Sequence, residues 1–273
     1  MTEQTTKLSA AALFDLSTFA HKDLFTGKTY AWEGLLDLKS YLDGLSYPDF
    51  PTDLLPPGVP TAKTVIWHEN TLLDSRNFTI EFGDPGKGGL KVFDKGEQLH
   101  GASIIMAGAV LVGSQIQIGK GVQIETGAYV KGPTVLGDRT DVRQGAYIRG
   151  YCLTGSGAVV GHVTEMKHSI MLDEAKAGHF AYLGDSILGN KVNLGAGTKL
   201  ANLRFTGGTI KVKTTEGALD TGLRKMGAIL GDLAQTGCNS VTNPGTVLGR
   251  KSLVMPNCTV PSGYHADSSL IRG

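Results

Sequence analysis

Five polar side chains between residues 149 and 193 are of types that could do chemistry together. Arg149 and Lys167 lie eighteen residues apart, and paired cations suit a phosphate through charge-assisted hydrogen bonds. His179 can accept a proton near neutral pH. Tyr182 and Asn193 add groups that donate and accept hydrogen bonds. This combination predicts a phosphorylated or nucleotide-bearing ligand held beside a general base.

The spacing of eighteen matters because the surrounding chain repeats every six residues. One slot holds large apolar residues and is broken only by Thr154. It contains Met106, Val112, Ile118, Ile124, Val130, Leu136, Val142, Ile148, Thr154, Val160, Met166 and Leu172. A second slot, four residues on, holds small or β-branched residues such as Ala128, Thr134 and Cys152. A period of six fits neither a helix nor a lone strand and indicates the hexapeptide repeat of a parallel β-helix.

Three hexads complete one turn of such a coil, so residues eighteen apart fall on the same face of adjacent turns. Arg149 and Lys167 are therefore expected to stack. The repeat resumes after a phase slip at Leu183 and again from Leu230 to Val260, which gives about seven turns. We expect His179 to lie where the register slips. A β-sandwich is disfavoured because so many hexads keep one register.

Composition excludes several classes of function. The net charge of +1 leaves no electrostatic footprint for a nucleic acid or an anionic membrane. No apolar run approaches the ~18 residues that span a bilayer, and the first residues lack a signal-peptide pattern. The three cysteines have no metal-site spacing and fit a reducing compartment. We expect a cytoplasmic protein with no metal and no nucleic-acid or membrane partner.

The chain divides into segments of different character. Residues 1–47 are expected to be helical, and 48–105 to form a proline-rich linker and a β cap. Residues 106–262 are expected to form the β-helix, interrupted by an excursion at 202–226, and 263–273 a short tail. Because loops as long as this excursion are uncommon in compact domains, it is expected to be functional or disordered.

Three segments carry a family resemblance. GHVTEMKHS, KAGHFAYLGDSILGNKVNLGAGT and the following AN resemble the acetyltransferase half of the bifunctional UDP-N-acetylglucosamine pyrophosphorylase/glucosamine-1-phosphate N-acetyltransferase, within the hexapeptide-repeat acyltransferase superfamily. The match is strongest over residues 145–202. It implies a mainly β fold, a left-handed parallel β-helix with a small N-terminal α+β cap. The pyrophosphorylase half has no counterpart in this chain.

The resemblance assigns roles on the acceptor side. It makes His179, the histidine of KAGH, the catalytic base, and it makes Arg149 and Lys167 ligands of the sugar phosphate. Tyr182 of YLGD and Asn193 of the VNLGAG segment would contact the sugar. A base at His179 would deprotonate a sugar ammonium before its nitrogen attacks a thioester.

The resemblance also assigns roles near the acyl donor. The backbone N–H of Ala196 would stabilise the oxyanion, and Lys225 would be a further phosphate ligand. Asn202, Cys238 and Pro256 would bind the cofactor. Cys238 and Pro256 differ from the family's residues at those positions, as does Leu203, and the family's arginine-containing tail has no clear match. The departures fall on the donor side.

The implied function is transfer of acetyl from acetyl-CoA to the amino group of a glucosamine-1-phosphate-like sugar phosphate or of a nucleotide sugar related to UDP-N-acetylglucosamine. The implied assembly is a homotrimer. Three alternatives stay open: a non-catalytic sugar-nucleotide-binding protein, an enzyme with acyl carrier protein as donor, and a γ-type carbonic anhydrase. The last would bind zinc through His162, His168 and His179, although the spacing does not match that family.

Overall fold

The computed structural model describes residues 6–272, and its main body is a left-handed parallel β-helix with three faces. Face 1 comprises Ser103–Ile105, Gln123–Ile124, Asp141–Val142, Val159–His162, Lys176–His179, Asn193–Leu194, Gln235–Thr236, Leu253–Val254 and Leu270–Ile271. Face 2 comprises Val110–Val112, Tyr129–Lys131, Tyr147–Ile148, Glu165–Lys167, Tyr182–Gly184, Lys199–Leu200, Val241–Thr242 and Thr259–Val260. Face 3 comprises Ile116–Ile118, Thr134–Leu136, Cys152–Thr154, Ser169–Met171, Ile187–Leu188, Ala228–Leu230, Thr246–Leu248 and Gly263–His265.

An antiparallel cap closes the first end of the coil. Val65–His68 pairs with Ser103–Ile105 on one side and with Thr71–Asp74 on the other. A separate three-stranded sheet comprises Phe78–Glu81, Lys91–Asp94 and Glu97–Gln98. Because the cap satisfies the backbone groups of the first coil, that edge of face 1 is not left open for pairing with another chain.

The interior slot follows the hexapeptide pattern, with three corrections. The buried core holds Ile105, Leu111 and Met171, whereas the period of six predicted Met106, Val112 and Leu172. Ile118 is an interior residue that pairs with Leu136 in the next coil. The step from Leu111 to Ile118 is seven residues instead of six, so the interior positions before Ile118 lie one residue earlier than the period predicts. The third correction arises because Met171, only five residues after Met166, pairs with Thr154.

Two short corners set the register of the later coils. Both the step from Met166 to Met171 and the step from Leu183 to Leu188 are five residues. The missing residue is therefore lost at the corner between face 2 and face 3, where the coil turns at a residue of left-handed φ. The expectation that the register slips at His179 is wrong, because the neighbouring interior residues Ala177 and Leu183 keep the step of six.

The coil is longer than the sequence predicted. In residues 6–272 the parallel strands stack nine high on face 1 and eight high on faces 2 and 3, where about seven turns were expected. One extra level precedes residue 106. Others come from the predicted tail: Gly263–His265 pairs with Thr246–Leu248, and Leu270–Ile271 pairs with Leu253–Val254. Residues 263–272 therefore continue the β-helix.

The N-terminal segment packs on the outside of face 3. It includes α1 (Ala10–Leu13), a 3₁₀ turn at Lys22–Phe25, and α2 (Glu33–Asp43). Residues 1–5 of the predicted helical segment lie outside the described residues. The buried leucines of α2 share a second apolar cluster with outward residues of face 3, including Leu153 and Ile187. None of the helices in residues 6–272 has the length and apolarity that crossing a membrane requires.

The excursion at 202–226 is ordered and belongs to the same second cluster. It contains an antiparallel hairpin, Lys211–Thr214 with Gly217–Asp220. Ile210, Val212 and Met226 are fully buried. Of the two expectations for a long loop, disorder is excluded, because burial of these three side chains fixes both the hairpin and the end of the excursion against the coil.

Candidate functional site

Face 2 is bounded by two corners that carry most of the predicted site residues. The first corner, between faces 1 and 2, bears His162, His179, Ala196, Cys238 and Pro256 in successive coils. His162 and His179 are register partners. Ala177 pairs with Leu194, and Leu194 pairs with Thr236, which pairs with Val254. The residues two positions after each of these therefore occupy equivalent positions in successive coils. The second corner lies between faces 2 and 3.

His179 is exposed at the end of its strand. Its ring stacks on that of His162, with centroids 5.5 Å apart and planes 22° from parallel. Ala196 occupies the equivalent position in the next coil, where the amide of Gly197 donates to the carbonyl of His179 at 3.0 Å. Within residues 6–272 the N–H of Ala196, a half-buried residue, makes no hydrogen bond. An imidazole ring and an N–H donor without a hydrogen-bond partner thus lie one coil apart.

The second corner bears a cavity of about 510 Å³ that brings the predicted phosphate ligands together. Arg149 and Lys167 line it from adjacent coils, as the spacing of eighteen predicted, and Lys225 lines it from the end of the excursion. Lys39 of α2 and Arg224 are further cations in its lining. A cavity with five cationic side chains in its lining is suited to a phosphorylated ligand.

A buried carboxylate organises this corner. Oδ1 of Asp185 lies 2.8 Å from Nδ1 of His168, and Oδ2 accepts from Nδ2 of Asn202 and lies 3.4 Å from Nζ of Lys167. Burial by itself raises the pKa of the Asp185 carboxyl. The hydrogen bonds from His168 and Asn202 and the charge of Lys167 outweigh burial, so the pKa lies below its usual range. Asp185 is therefore ionised and holds the Lys167 ammonium in place.

The outward surface of face 2 connects the two corners. Nη1 of Arg149 donates to Oε1 of Glu165 at 2.7 Å, and Arg149 lies 5.8 Å from the centroid of the Tyr147 ring. Tyr182 is the register partner of Glu165 in the next coil. Partial burial, followed by the charges of Glu165 and Asp185, raises the pKa of the Tyr182 hydroxyl. Tyr182 is therefore a protonated hydrogen-bonding group beside Arg149.

Two predicted residues lie away from their expected companions. Asn193 is exposed on face 1, on the other side of the first corner from Tyr182. Asn202 was grouped with Cys238 and Pro256 as a donor-binding residue, but its amide binds Asp185 at the second corner. Within one chain, face 2 separates Asn202 from the exposed Cys238 and Pro256.

The three histidines considered for zinc do not converge. His162 and His179 lie at the first corner, whereas His168 is buried at the second corner and bonded to Asp185. In the part of the chain that the structure describes, no three His, Cys, Asp or Glu side chains form a group that could hold a metal ion. Within a single chain, this arrangement gives the carbonic anhydrase alternative no support, and His168 is already bonded to Asp185.

Sequence reasoning missed Asp185, Lys39 and Arg224. Asp185 had a signal, because it lies eighteen residues after Lys167 and ends the YLGD motif; the five-residue corner then places it against His168. Arg224 directly precedes Lys225 in the same segment. Lys39 had no signal, because only the packing of α2 on face 3 brings it to the cavity.

Comparison with known proteins gives the family. No protein-family model matches the sequence. The chain is 30% identical over 163 residues to a protein named uncharacterized acetyltransferase YaiX from Escherichia coli O6:K15:H31. The matched region covers 58% of this chain and 71% of that relative. The chain belongs to the hexapeptide-repeat acetyltransferases. That assignment agrees with the fold and with the resemblance in residues 145–202.

Other members of the family are larger. The chain is 32% identical over 151 residues to a bifunctional sugar-1-phosphate nucleotidylyltransferase/acetyltransferase from Sulfurisphaera tokodaii, covering 55% of this chain and 38% of the relative. It is 35% identical over 127 residues to the bifunctional protein GlmU from Methanococcus maripaludis, and this match covers 46% of this chain and 31% of that relative. The chain thus spans about a third of the length of these curated relatives.

A solved structure, that of UDP-N-acetylglucosamine acyltransferase from Francisella novicida, is also similar. The match covers 59% of this chain and 60% of the other, at 14% identity and a TM-score of 0.40.

Proposed function

We propose that this hexapeptide-repeat acetyltransferase transfers acetyl from acetyl-CoA to the amino group of a sugar phosphate or nucleotide sugar. The observation that carries the proposal is the arrangement around face 2, where an exposed histidine stands at one corner and a cationic cavity at the other. The relative from Sulfurisphaera tokodaii is named as both a sugar-1-phosphate nucleotidylyltransferase and an acetyltransferase, which supports a sugar-phosphate acceptor.

The chemistry follows from the residues at the two corners. His179 takes the proton of the sugar ammonium, so that the neutral nitrogen can attack the thioester carbonyl. The N–H of Ala196 stabilises the negative charge of the tetrahedral intermediate. When this intermediate collapses, the C–S bond breaks, and the leaving CoA thiolate takes up the second proton that the attacking nitrogen gives up. Arg149, Lys167 and Lys225 bind the phosphoryl part of the acceptor, and this positioning makes the attack effectively intramolecular.

The acyl donor is proposed to bind between two copies of the chain in a homotrimer. This assembly is supported by the split of the predicted donor residues: Cys238 and Pro256 lie at the first corner and Asn202 at the second. A groove between the first corner of one copy and the second corner of another would bring them together. The same argument applies to Asn193 and Tyr182, which lie on different faces of one chain.

The three unpaired cysteines, with Cys152 and Cys258 buried and Cys238 exposed, fit the proposed reducing cytoplasm. A non-catalytic role in binding a sugar nucleotide is the second candidate. Its support is the departure of Leu203, Cys238 and Pro256 from the family pattern on the donor side.

The deciding experiment is thiol release from acetyl-CoA by the purified protein, measured across a panel of amino-sugar phosphates and nucleotide amino sugars. Acceptor-dependent release would establish the acetyltransferase. Binding of the sugar nucleotide without thiol release, and without detectable binding of acetyl-CoA, would favour the non-catalytic role. Sedimentation velocity checks the assembly, because a homotrimer requires three copies of the 28.8 kDa chain.

A further inference from the structure

The cavity at the second corner is built from three separate parts of the chain. Arg149 and Lys167 come from the coil, Arg224 and Lys225 from the end of the excursion, and Lys39 from helix α2. Helix α2 lies outside the segment that resembles the acetyltransferase family. The N-terminal segment therefore contributes directly to the lining of the acceptor cavity.

The charges around the cavity fall into two sets. Arg149 and Lys167 each have a carboxylate partner, Glu165 and Asp185 respectively. Within residues 6–272, Lys39, Arg224 and Lys225 have no ion-pair partner. Three like charges around one cavity repel one another and favour the binding of an anion.

Both segments that carry the unpaired cations are anchored. In α2, Leu38 and Leu42 are fully buried in the second apolar cluster on either side of Lys39. Nζ of Lys39 lies 5.3 Å from the centroid of the Tyr151 ring at the same corner, a distance at which a cation–π interaction is favourable. The ammonium of Lys39 is thus delivered to the cavity by a fixed helix.

Arg224 and Lys225 are held in a similar way. Leu223, immediately before them, packs against the second cluster, and Met226, immediately after them, is fully buried. Two exposed cations between two anchored apolar residues have little freedom to leave the cavity. Little conformational entropy of the backbone is then lost when an anion binds.

We propose that Lys39, Arg224 and Lys225 form a second phosphoryl subsite beside the Arg149–Lys167 pair, so that the acceptor is a sugar linked through a diphosphate rather than a sugar monophosphate. One phosphoryl group binds the cations of the coil, and the other binds those of α2 and the excursion. The inference rests on the proposed function for the identity of the sugar, whereas the diphosphate subsite depends on the cavity alone.

The test uses calorimetric titration of the full chain with inorganic pyrophosphate and, separately, with orthophosphate, at low ionic strength. The wild-type protein should bind pyrophosphate at least roughly 10-fold more tightly than orthophosphate. Lys39→Met and Arg224→Met should each weaken pyrophosphate binding by roughly 10-fold and leave orthophosphate binding within about twofold. Lys39→Arg keeps the charge and should retain most of the pyrophosphate affinity.

Lys22→Met is the matched control, because Lys22 is an exposed lysine of the same N-terminal segment and does not line the cavity. It should bind both anions as the wild type does. Equal affinities for the two anions, or equal losses for both in the Lys39 and Arg224 variants, would overturn the subsite. Thermal unfolding of each variant identifies any that lose the fold, and the remaining variant then decides the result.

Kinetics separates this inference from the proposed function. An amino sugar carried on a nucleoside diphosphate should have a higher kcat/KM than the same amino sugar 1-phosphate, and Lys39→Met should lower kcat/KM for the diphosphate selectively. Absence of turnover with either acceptor, together with the predicted anion-binding pattern, would reject the acetyltransferase and keep the diphosphate subsite. Turnover that prefers the monophosphate would reject the subsite alone.

Discussion

His168 and Asp185 occupy equivalent positions at the second corner in neighbouring coils, with Nδ1 of the histidine 2.8 Å from Oδ1 of the carboxylate. Both residues have left-handed φ, +46° and +48°, and both follow a face 2 strand where a residue is missing from the coil. The pair therefore depends on the irregular corners. It also fixes the carboxylate that binds Lys167 beside the proposed phosphate.

Replacing Asp185 by Asn should lower the free energy of unfolding at pH 7 by about 1.5–3 kcal/mol, the usual worth of hydrogen bonds to a charged group. Because the pKa of Asp185 is lowered in the fold, its stabilisation is present above the unfolded pKa of about 3.9 and is lost as pH falls through the folded pKa. Urea unfolding between pH 7 and pH 3 measures this dependence. The difference between wild type and variant should shrink below about pH 4; a constant difference would show that the carboxylate charge is not the cause.

His179→Ala should lower kcat for acetyl transfer by about 100- to 10,000-fold, the range for loss of a general base. The matched variant is His162→Ala, which removes the ring stacked on His179 and should reduce the rate far less. Both are measured by acceptor-dependent thiol release. If the His162 variant is as inactive as the His179 variant, or if only His162 matters, the assignment of the base is wrong.

Arg149→Met should raise the KM for the acceptor by roughly 10- to 100-fold, because it removes a charge-assisted contact with phosphate. The KM for acetyl-CoA should not change, since Arg149 lines the cavity proposed for the acceptor. Steady-state kinetics with each substrate varied in turn provides the measurement. Arg139→Met, which changes an exposed arginine outside that cavity, is the control. A rise confined to the KM for acetyl-CoA would place Arg149 in the donor site instead.

Cys238 should be the one cysteine that reacts with a thiol reagent in the native protein. It is exposed, whereas Cys152 and Cys258 are buried, and burial raises the pKa of the Cys152 thiol to about 12. Mass spectrometry after brief alkylation identifies the labelled residue. Acetyl-CoA should slow the labelling if Cys238 lies in the donor groove; unchanged labelling at saturating acetyl-CoA would remove Cys238 from the proposed site.

Asp141→Asn should stabilise the protein at pH 7 by about 1 kcal/mol, the lower end of the cost of a buried unsatisfied polar group. Within residues 6–272, Oδ1 of Asp141 and Oε1 of its register partner Gln123 are buried without hydrogen-bond partners. Burial raises the pKa of Asp141 despite its ion pair with Arg143. This residue therefore favours the fold below the unfolded pKa of about 3.9, and that contribution is lost as pH rises through the folded pKa.

Thermal unfolding of the Asp141 variant at pH 7 and at pH 4 measures the effect. An amide at this position has nearly the same shape as the carboxylate but carries no charge. The gain should be largest at pH 7 and smaller at pH 4. A lower melting temperature at pH 7 would mean that the ion pair with Arg143 outweighs the cost of burying the charge.

Periodicity was enough to predict the β-helix and the stacking of Arg149 on Lys167, because both depend on a repeat that is local in the chain. It failed at Met106, Val112 and Leu172, where a corner one residue longer or shorter shifts the inward position. A corner's length depends on the backbone conformation of single residues such as His168, and the apolar pattern does not report that conformation. The predicted tail failed for a related reason, since its short strands have little apolar signal of their own.

The sequence by itself determined the coil, the family resemblance and the identity of the cations and histidine that the proposal uses. The tertiary structure alone decided that Lys39 lines the cavity at the second corner and that Asn202 binds Asp185 instead of joining Cys238. It also decided that Asn193 and Tyr182 face different ways. These relationships join residues that are far apart in sequence or separated by a corner. They depend on how α2 and the excursion pack against the coil, and no local pattern in the chain encodes that packing.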